Sequence, residues 1–329
     1  MARIVLGIGT SHSPALNSPA EDFHHHAARD RANPNHRDSQ GNACSYDALL
    51  TEADPSIGAE ITSETIQRRV TACARAIERL ADNLEDSRLD ALIIVGDDQL
   101  EQYRDDNMPA MLLYCGSDIR NDVSPLPQSA PAYWRQARSQ FHEPTAPRDY
   151  PVDQGLARHL VSSLTEAAFD ISYADQLRRQ QGEGHAFGFV HRRLMTKSVI
   201  PIVPVILNTY YPPNQPRPRR CYALGRAIRS AVEAWGEDKR VGILASGGLS
   251  HFTINEQLDH TILDACRNKD GETLRTIPTA MLNSGNSEIR NWITVAGAVD
   301  HLDTDWQVYE PCYRSEAGTG CGMAFAVWS

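Results

Sequence analysis

Four apolar, strand-like runs of the chain end in loops whose side chains can bind a metal or move a proton. In chain order, these loops carry His12, Asp97-Asp98-Gln99, Asn208-Thr209 and Gly247-Gly248 with His251. In open α/β sheets, ligands bind at the edge where the carboxyl ends of the parallel strands meet. The four loops are therefore expected to converge on one cleft lined by metal-capable side chains.

Taken singly, the local motifs do not identify a reaction. Gly7-x-Gly9 lacks the third glycine of a dinucleotide-binding turn, and no serine stands in a Gly-x-Ser-x-Gly elbow. Ser246 and His251 are too close in sequence for a catalytic triad, whose members come from separate strands. The run His24-His25-His26 suggests metal binding, but adjacent residues do not share a face, so a solvated loop is the favoured interpretation.

The elements that would position these groups alternate between strands and helices. Residues 90–96 and 200–207 are short, continuous apolar runs, which are typical of fully buried parallel strands. From Ser63, a plausible N-cap, apolar residues recur with the helical period as far as residue 84. The alternation predicts an α/β fold: a single domain with a central mixed, mostly parallel sheet and helices on both faces. Residues 17–58 and 117–150 are expected to be long, irregular excursions.

The composition limits the partners and the compartment. The 329 residues include 32 basic and 42 acidic ones, a net charge of −10, which argues against nucleic acid because phosphate neutralisation needs clustered Lys and Arg. The apolar runs are too short to span a membrane and no signal peptide precedes the first strand, so a cytoplasmic protein is expected. The seven scattered cysteines are expected to be buried free thiols. A homodimer, the commonest soluble oligomer, is the expected assembly.

An ordered set of motifs runs from residue 3 to the C-terminus. The set comprises Gly9-Thr-Ser-His12-Ser-Pro-Ala-Leu16, Ile93-Ile-Val-Gly-Asp-Asp98, Gly184-His185, Pro204-Val-Ile-Leu-Asn-Thr-Tyr-Tyr-Pro-Pro213, Arg220-Cys-Tyr-Ala-Leu-Gly225, Gly247-Gly-Leu-Ser-His251, Glu256, Ser284-Gly-Asn-Ser-Glu-Ile-Arg-Asn-Trp292 and residues 318–323. Through this set the chain resembles the class III extradiol ring-opening dioxygenases, the LigB-like family. The resemblance implies one catalytic domain over residues 1–329, with an inserted segment at about residues 18–60.

The resemblance also implies an activity and a set of site residues. Members of the family use non-haem Fe(II) (another divalent metal is an alternative) to open the ring of a catechol-type or related phenolic acid with O₂. Two His and one carboxylate hold the iron on one face and leave positions open for substrate and oxygen. Position by position, the resemblance implies metal ligands at His12, Gln99 and Glu256, acid–base residues at His185 and His251, and a substrate-lining loop at Thr209 and Tyr210.

Gln99 is where the sequence departs from the family pattern, which has a second metal-binding His at this position. Three readings stay open: Gln99 is a weaker third ligand, His251 or Asp98 fills the position, or the site binds no iron. The departure keeps two other functions open, a metal-dependent hydrolase or lyase on the same scaffold and a non-catalytic homologue. Arg217, Arg219 and Arg220 could supply charge for a substrate carboxylate, although a solvated basic face at a helix start is equally expected.

Overall fold

Strands and helices alternate along most of the chain in the structure, a computed structural model that describes residues 1–180 and 182–329. In chain order, the strands are β1 (Arg3–Thr10), β2 (Ala91–Asp97), β3 (Met111–Tyr114), β4 (Asp118–Asn121), β5 (Arg148–Pro151), β6 (Ser172–Ala174), β7 (Ile202–Leu207), β8 (Arg240–Ser246), β9 (His251–Thr253), β10 (Thr304–Tyr313) and β11 (Thr319–Trp328). The helices are α1 (Phe23–Arg31), α2 (Tyr46–Glu52), α3 (Ile57–Glu60), α4 (Ser63–Asp86), α5 (Ala132–Arg138), α6 (Gln154–Glu166), α7 (His185–Phe189), α8 (Pro218–Ala234), α9 (Glu256–Arg267), α10 (Gly271–Thr276) and α11 (Ile289–Ala298).

The main sheet is mixed, with a parallel centre. Its strand order is β10-β11-β1-β8-β2-β7-β3-β6, and β9 pairs with β11. Strands β1, β8, β2 and β7 are parallel neighbours, whereas β11 runs antiparallel to β1 and β3 runs antiparallel to β7. Every residue of β2 is buried, as expected for a central strand with both faces covered. The predicted α/β fold is therefore confirmed.

Helices cover both faces of the sheet and create two apolar cores. One core packs α6, α8, α9, α10 and α11 against the sheet, and the other packs α4, α7 and the Phe23 end of α1 against it. Helices α8 and α11 approach each other closely because glycine stands at the contact. A Cβ atom added to Gly225 would lie 1.8 Å from the carbonyl oxygen of Thr294.

Several local predictions were wrong in detail. The segment 17–58 is not structureless, since it contains α1 and α2. The Pro-rich segment 117–150 contains α5 and the antiparallel pair β4–β5. Thr62 rather than Ser63 caps α4, because the Thr62 hydroxyl accepts from the N–H of Thr65. Within the described ranges, none of the helices combines the length and the apolar character needed to cross a membrane.

Candidate active site

The loops after β1, β2, β7 and β8 meet around one cavity of about 300 Å³. Because these four strands are parallel neighbours, their carboxyl ends share one edge of the sheet. Five of the seven predicted site residues line this cavity: His12, Gln99, His185, Tyr210 and His251. The structure thus brings together the loops that the strand pattern predicts to converge.

The hydrogen bonds of His12 define which of its ring nitrogens faces the cavity. The Ser246 hydroxyl donates its proton to the carbonyl of Ala186 at 2.7 Å, so it can only accept from His12 Nδ1, 2.9 Å away. His12 Nε2 therefore carries the lone pair, and burial lowers the pKa of His12, which keeps the ring neutral. Nε2 is buried without a hydrogen bond and lies 3.3 Å from Glu288 Oε2. Two acceptors thus face each other in a buried place, an arrangement that a cation would relieve.

Glu288 is the carboxylate of the cavity. It ends the 3₁₀ turn Ser284–Glu288, directly before α11, and is 2% exposed. Its Oε2 accepts from the N–H of Gly248 at 2.7 Å, and its Oε1 lies 3.2 Å from His251 Nε2 and 3.1 Å from the Tyr210 hydroxyl. Burial alone would raise the pKa of Glu288, but the charge of His251 holds it well below its usual value. Glu288 is therefore an anion in the cavity.

His185 is anchored by a second carboxylate, Glu101. Glu101 Oε2 lies 2.8 Å from His185 Nδ1, and both Glu101 oxygens accept from the His185 backbone N–H. Burial alone would lower the pKa of His185, but the Glu101 carboxylate raises it to about 9. The anchor fixes the ring through Nδ1, and the ring packs edge-on against His12 with centroids 4.6 Å apart. His185 is therefore held as a proton-carrying imidazolium at the cavity wall.

Four groups form a cluster with the spacing of a metal site. One donor atom from each of His12, Asp97, His185 and Glu288 lies within 4.8 Å of the others. Burial and the charge of Glu288 raise the pKa of Asp97 to about 8. The Gln99 amide nitrogen donates to Glu288 Oε1 at 3.1 Å and to Asp97 Oδ2 at 3.4 Å. The neutral imidazole of His12 and the Glu288 carboxylate are donors that suit non-haem iron and similar divalent metals.

Glu256, the carboxylate that the sequence predicts as a ligand, lies elsewhere. The Asn255 side chain caps α9 by accepting from the N–H of Leu258, which places Glu256 in the exposed first turn. There Glu256 accepts from the Tyr313 hydroxyl at 2.7 Å, away from the residues that line the cavity. The position that the resemblance implies for Glu256 is wrong, because the turn that starts α9 carries its side chain to the surface. Glu288 occupies the place expected for Glu256.

Other sequence predictions have structural roles instead. Thr209 is buried outside the cavity lining, and its carbonyl accepts from Gln215 and Arg290. Asp98 accepts from the N–H groups of Gln102 and Tyr103, so it shapes its own loop rather than replacing Gln99 as a ligand. The arginines at the start of α8 do not line the cavity either.

Three features of the cavity escaped sequence analysis. Glu288 stands inside the motif Ser284–Trp292, immediately before a helix whose residues are all buried, and that placement is the signal that could have identified it. Glu101 lies two residues beyond Gln99, on the loop already singled out. Helix α1, from the segment expected to be irregular, contributes His26, Arg29 and Asp30 to the cavity wall.

Comparison with known proteins relates the chain to ring-opening oxygenases. A family model described as the catalytic LigB subunit of aromatic ring-opening dioxygenase matches residues 47–320. A gallate dioxygenase of Pseudomonas putida is 37% identical over 117 residues, which is 34% of this chain and 33% of that protein.

Two other relatives share one name. They are 2,3-dihydroxyphenylpropionate/2,3-dihydroxicinnamic acid 1,2-dioxygenases: that of Azotobacter vinelandii is 35% identical over 107 residues (32% of each chain), and that of Photorhabdus laumondii is 23% identical over 203 residues (62% of this chain, 55% of that protein). The alignments therefore span about a third to a half of the length of these curated relatives.

Proposed function

The chain belongs to the LigB family of catalytic subunits of aromatic ring-opening dioxygenases, and we propose that it opens the ring of a catechol-type substrate with O₂. In that reaction a ring C–C bond breaks, both oxygen atoms enter the product, and the ring carbons are oxidised as O₂ is reduced. The names of the relatives favour this reaction over the hydrolytic or lyase alternative. The observation that carries the proposal is the unpaired Nε2 of His12 facing the Glu288 carboxylate inside the shared cavity.

The chemistry of these residues fits a divalent metal. His12 and Glu288 would hold it, and Fe(II) is the metal we propose. When bound, the metal would supply a point where two adjacent hydroxyls and O₂ meet and exchange electron density. Gln99 is the proposed third ligand. Its amide nitrogen lies near Glu288, and rotating the side-chain amide by half a turn would place the amide oxygen there instead. Asp97 is the competing third ligand, because it belongs to the same cluster.

The two remaining histidines would move protons. His185, held through Nδ1 by Glu101, is a positioned acid that can donate to a substrate oxygen. His251 Nδ1 lies 2.9 Å from the carbonyl of Leu249, and its Nε2 lies 3.3 Å from the Tyr210 hydroxyl. Nδ1 therefore donates to that carbonyl, and Nε2 is the atom that exchanges a proton with Tyr210 or with substrate. Burial alone would lower the pKa of His251, but the Glu288 carboxylate raises it well above its usual value.

The direct test is oxygen uptake. Protein prepared without oxygen would be loaded with Fe(II), mixed with a panel of catechols and gallates, and followed with an oxygen electrode and by the absorbance of a ring-opened product. We expect one oxygen molecule consumed per ring opened for at least one member. Fe(II)-loaded protein that consumes no oxygen with any catechol or gallate would overturn the proposal.

The third ligand has its own test. Metal content of Gln99→Ala and of Asp97→Asn would be measured after the same Fe(II) loading. Loss of metal in Gln99→Ala with retention in Asp97→Asn supports Gln99, and the reverse pattern identifies Asp97.

The assembly and the compartment also belong to the proposal. We expect a homodimer, which light scattering of the purified chain would test. We also expect a reducing compartment such as the cytoplasm, because all seven cysteines are free thiols and six of them are buried.

A further inference from the structure

Helix α1, within the segment that the sequence predicts to be an insertion, forms part of the wall of the active-site cavity. Arg29 and Asp30 of this helix line the cavity together with Trp134 and Arg138 from α5. The cavity that contains the His12–Glu288 pair therefore has a second region, built by elements other than the strand-end loops.

This second region carries an excess of positive charge. Arg314 is neutralised by Asp30, with which it makes contacts of 2.9 and 3.2 Å. Arg138 lies 3.8 Å from Glu101, but that carboxylate is already engaged by His185. Among residues 1–180 and 182–329, no ion pair includes Arg29.

The Arg29 guanidinium is held in place by the aromatic ring of Trp134. The Arg29 guanidinium lies 3.7 Å from the centroid of the Trp134 ring, and that of Arg138 lies 5.9 Å from the same centroid. Stacking fixes the plane of a guanidinium and leaves its edge N–H groups free. Burial lowers the pKa of Arg138, Glu101 opposes that shift, and the charge of Arg29 adds to it. Because both guanidinium groups lie against the same Trp134 ring at the cavity wall, they can act on one anion.

We propose that Arg29, stacked on Trp134, and Arg138, near the same ring, form a subsite for the carboxylate of an aromatic acid. This inference rests on the proposed function, because it assumes that the diol of the same molecule meets the His12–Glu288 region. Guanidinium forks match the two oxygens of a carboxylate. A cavity of about 300 Å³ lies at the small end for ligand pockets and suits a single-ring substrate. Within this subsite, Arg29 is the residue that determines the preference for the acid group.

The test compares two ligands that differ only in the carboxylate, gallate and pyrogallol. Binding to the Fe(II)-loaded protein would be measured without oxygen by titration calorimetry. In Arg29→Gln we expect about a tenfold loss of gallate affinity, the size of a lost charged hydrogen bond, and little change for pyrogallol. Arg29→Lys is expected to restore part of the gallate affinity. With oxygen, KM for gallate should rise in Arg29→Gln while kcat is kept.

Arg31→Gln is the matched control. Arg31 lies on the same helix, but it faces Glu316 at 3.6 Å and does not line the cavity, so both affinities should stay unchanged. An unchanged ratio of gallate to pyrogallol affinity in Arg29→Gln would overturn the subsite. If the wild-type protein consumes no oxygen with any diol, the proposed reaction fails, and the binding ratio still decides whether the subsite exists.

Discussion

At the scale of single residues, the most informative atom is Nε2 of His12. A buried acceptor without a hydrogen bond costs roughly 1–3 kcal/mol, and here it faces the oxygen of an anionic carboxylate. A cation between them would convert this unfavourable contact into two bonds. The same argument does not apply to Glu256, whose carboxylate is exposed and satisfied by Tyr313.

Glu288→Gln is therefore expected to lose bound metal, whereas Glu256→Gln keeps it. The first change removes the proposed anionic ligand, and the second alters only a surface hydrogen bond. Metal content after Fe(II) loading and desalting measures the difference. Full metal content in Glu288→Gln would refute its role as a ligand.

Glu101 is a positioning residue for His185. Glu101→Gln leaves the cluster around His12 in place but removes the charge that holds the His185 ring. We expect kcat to fall by at least about tenfold, a part of what a positioned acid contributes, with metal content unchanged. Steady-state oxygen uptake and metal analysis measure the two quantities.

Asp106→Asn serves as the control for Glu101→Gln. Asp106 follows the same strand but pairs at the surface with Arg178 and Arg179, so its loss should leave kcat unchanged. Equal losses in both variants would mean that the loop, and not the Glu101–His185 contact, is what matters.

At the scale of elements, the packing of α8 on α11 fixes where Glu288 stands. Glu288 directly precedes α11, and α11 is held against α8 by the absence of a side chain at Gly225. Ten consecutive buried residues in α11 leave the helix no room to shift. The position of Glu288, the proposed ligand, is therefore set by helix packing as much as by the loop that carries it.

Gly225→Ala is expected to destabilise the fold by at least about 2 kcal/mol, because overpacking forces two helices apart. Urea denaturation would measure the free energy of unfolding. Gly236→Ala is the control, since a Cβ there meets no atom within 4 Å, and it should change stability by no more than about 0.5 kcal/mol.

The strength of the local pattern decided which elements could be predicted from sequence. The continuous apolar runs of β2 and β7 and the helical period of α4 are produced by burial itself, so they are visible in one sequence. In the pair β4–β5, apolar and polar residues alternate only weakly, and the pair lies among prolines. Helix α1 has a polar sequence that includes His24–His26, with few apolar residues to mark a helical period. Such elements are stabilised by tertiary contacts, which no local window contains.

The same limit applies to the candidate site. His12, His185 and His251 could be identified because they follow predicted strands or stand in motif-bearing loops. Glu288 and Arg29 could not, since what brings each to the cavity is the packing of a helix against distant parts of the chain. Glu256 was misplaced for the complementary reason: it is near His251 in sequence but separated from the cavity by the turn that starts α9.

At the scale of the whole molecule, a bound metal would link the strand-end loops and α11 into one unit. A ligand that binds only the folded state and is present at a hundred times its Kd raises the free energy of unfolding by about 2.7 kcal/mol. Removing the metal with a chelator should therefore lower Tm by about 5 °C. Differential scanning calorimetry measures the shift, and Glu288→Gln, already without metal, should show none. An equal shift in that variant would mean that the chelator acts elsewhere.

Strand β1 occupies the middle of the sheet between β8 and β11, and this position has a consequence for how the protein is made. The ribosome would deliver β1 and His12 before the strands that flank β1, which emerge some 230 and 310 residues later. Ser246 and Glu288, which orient and face His12, arrive in that late portion. A nascent chain therefore cannot assemble the cluster until nearly all the described residues have left the ribosome. Metal acquisition should be a post-translational event that reports completed folding.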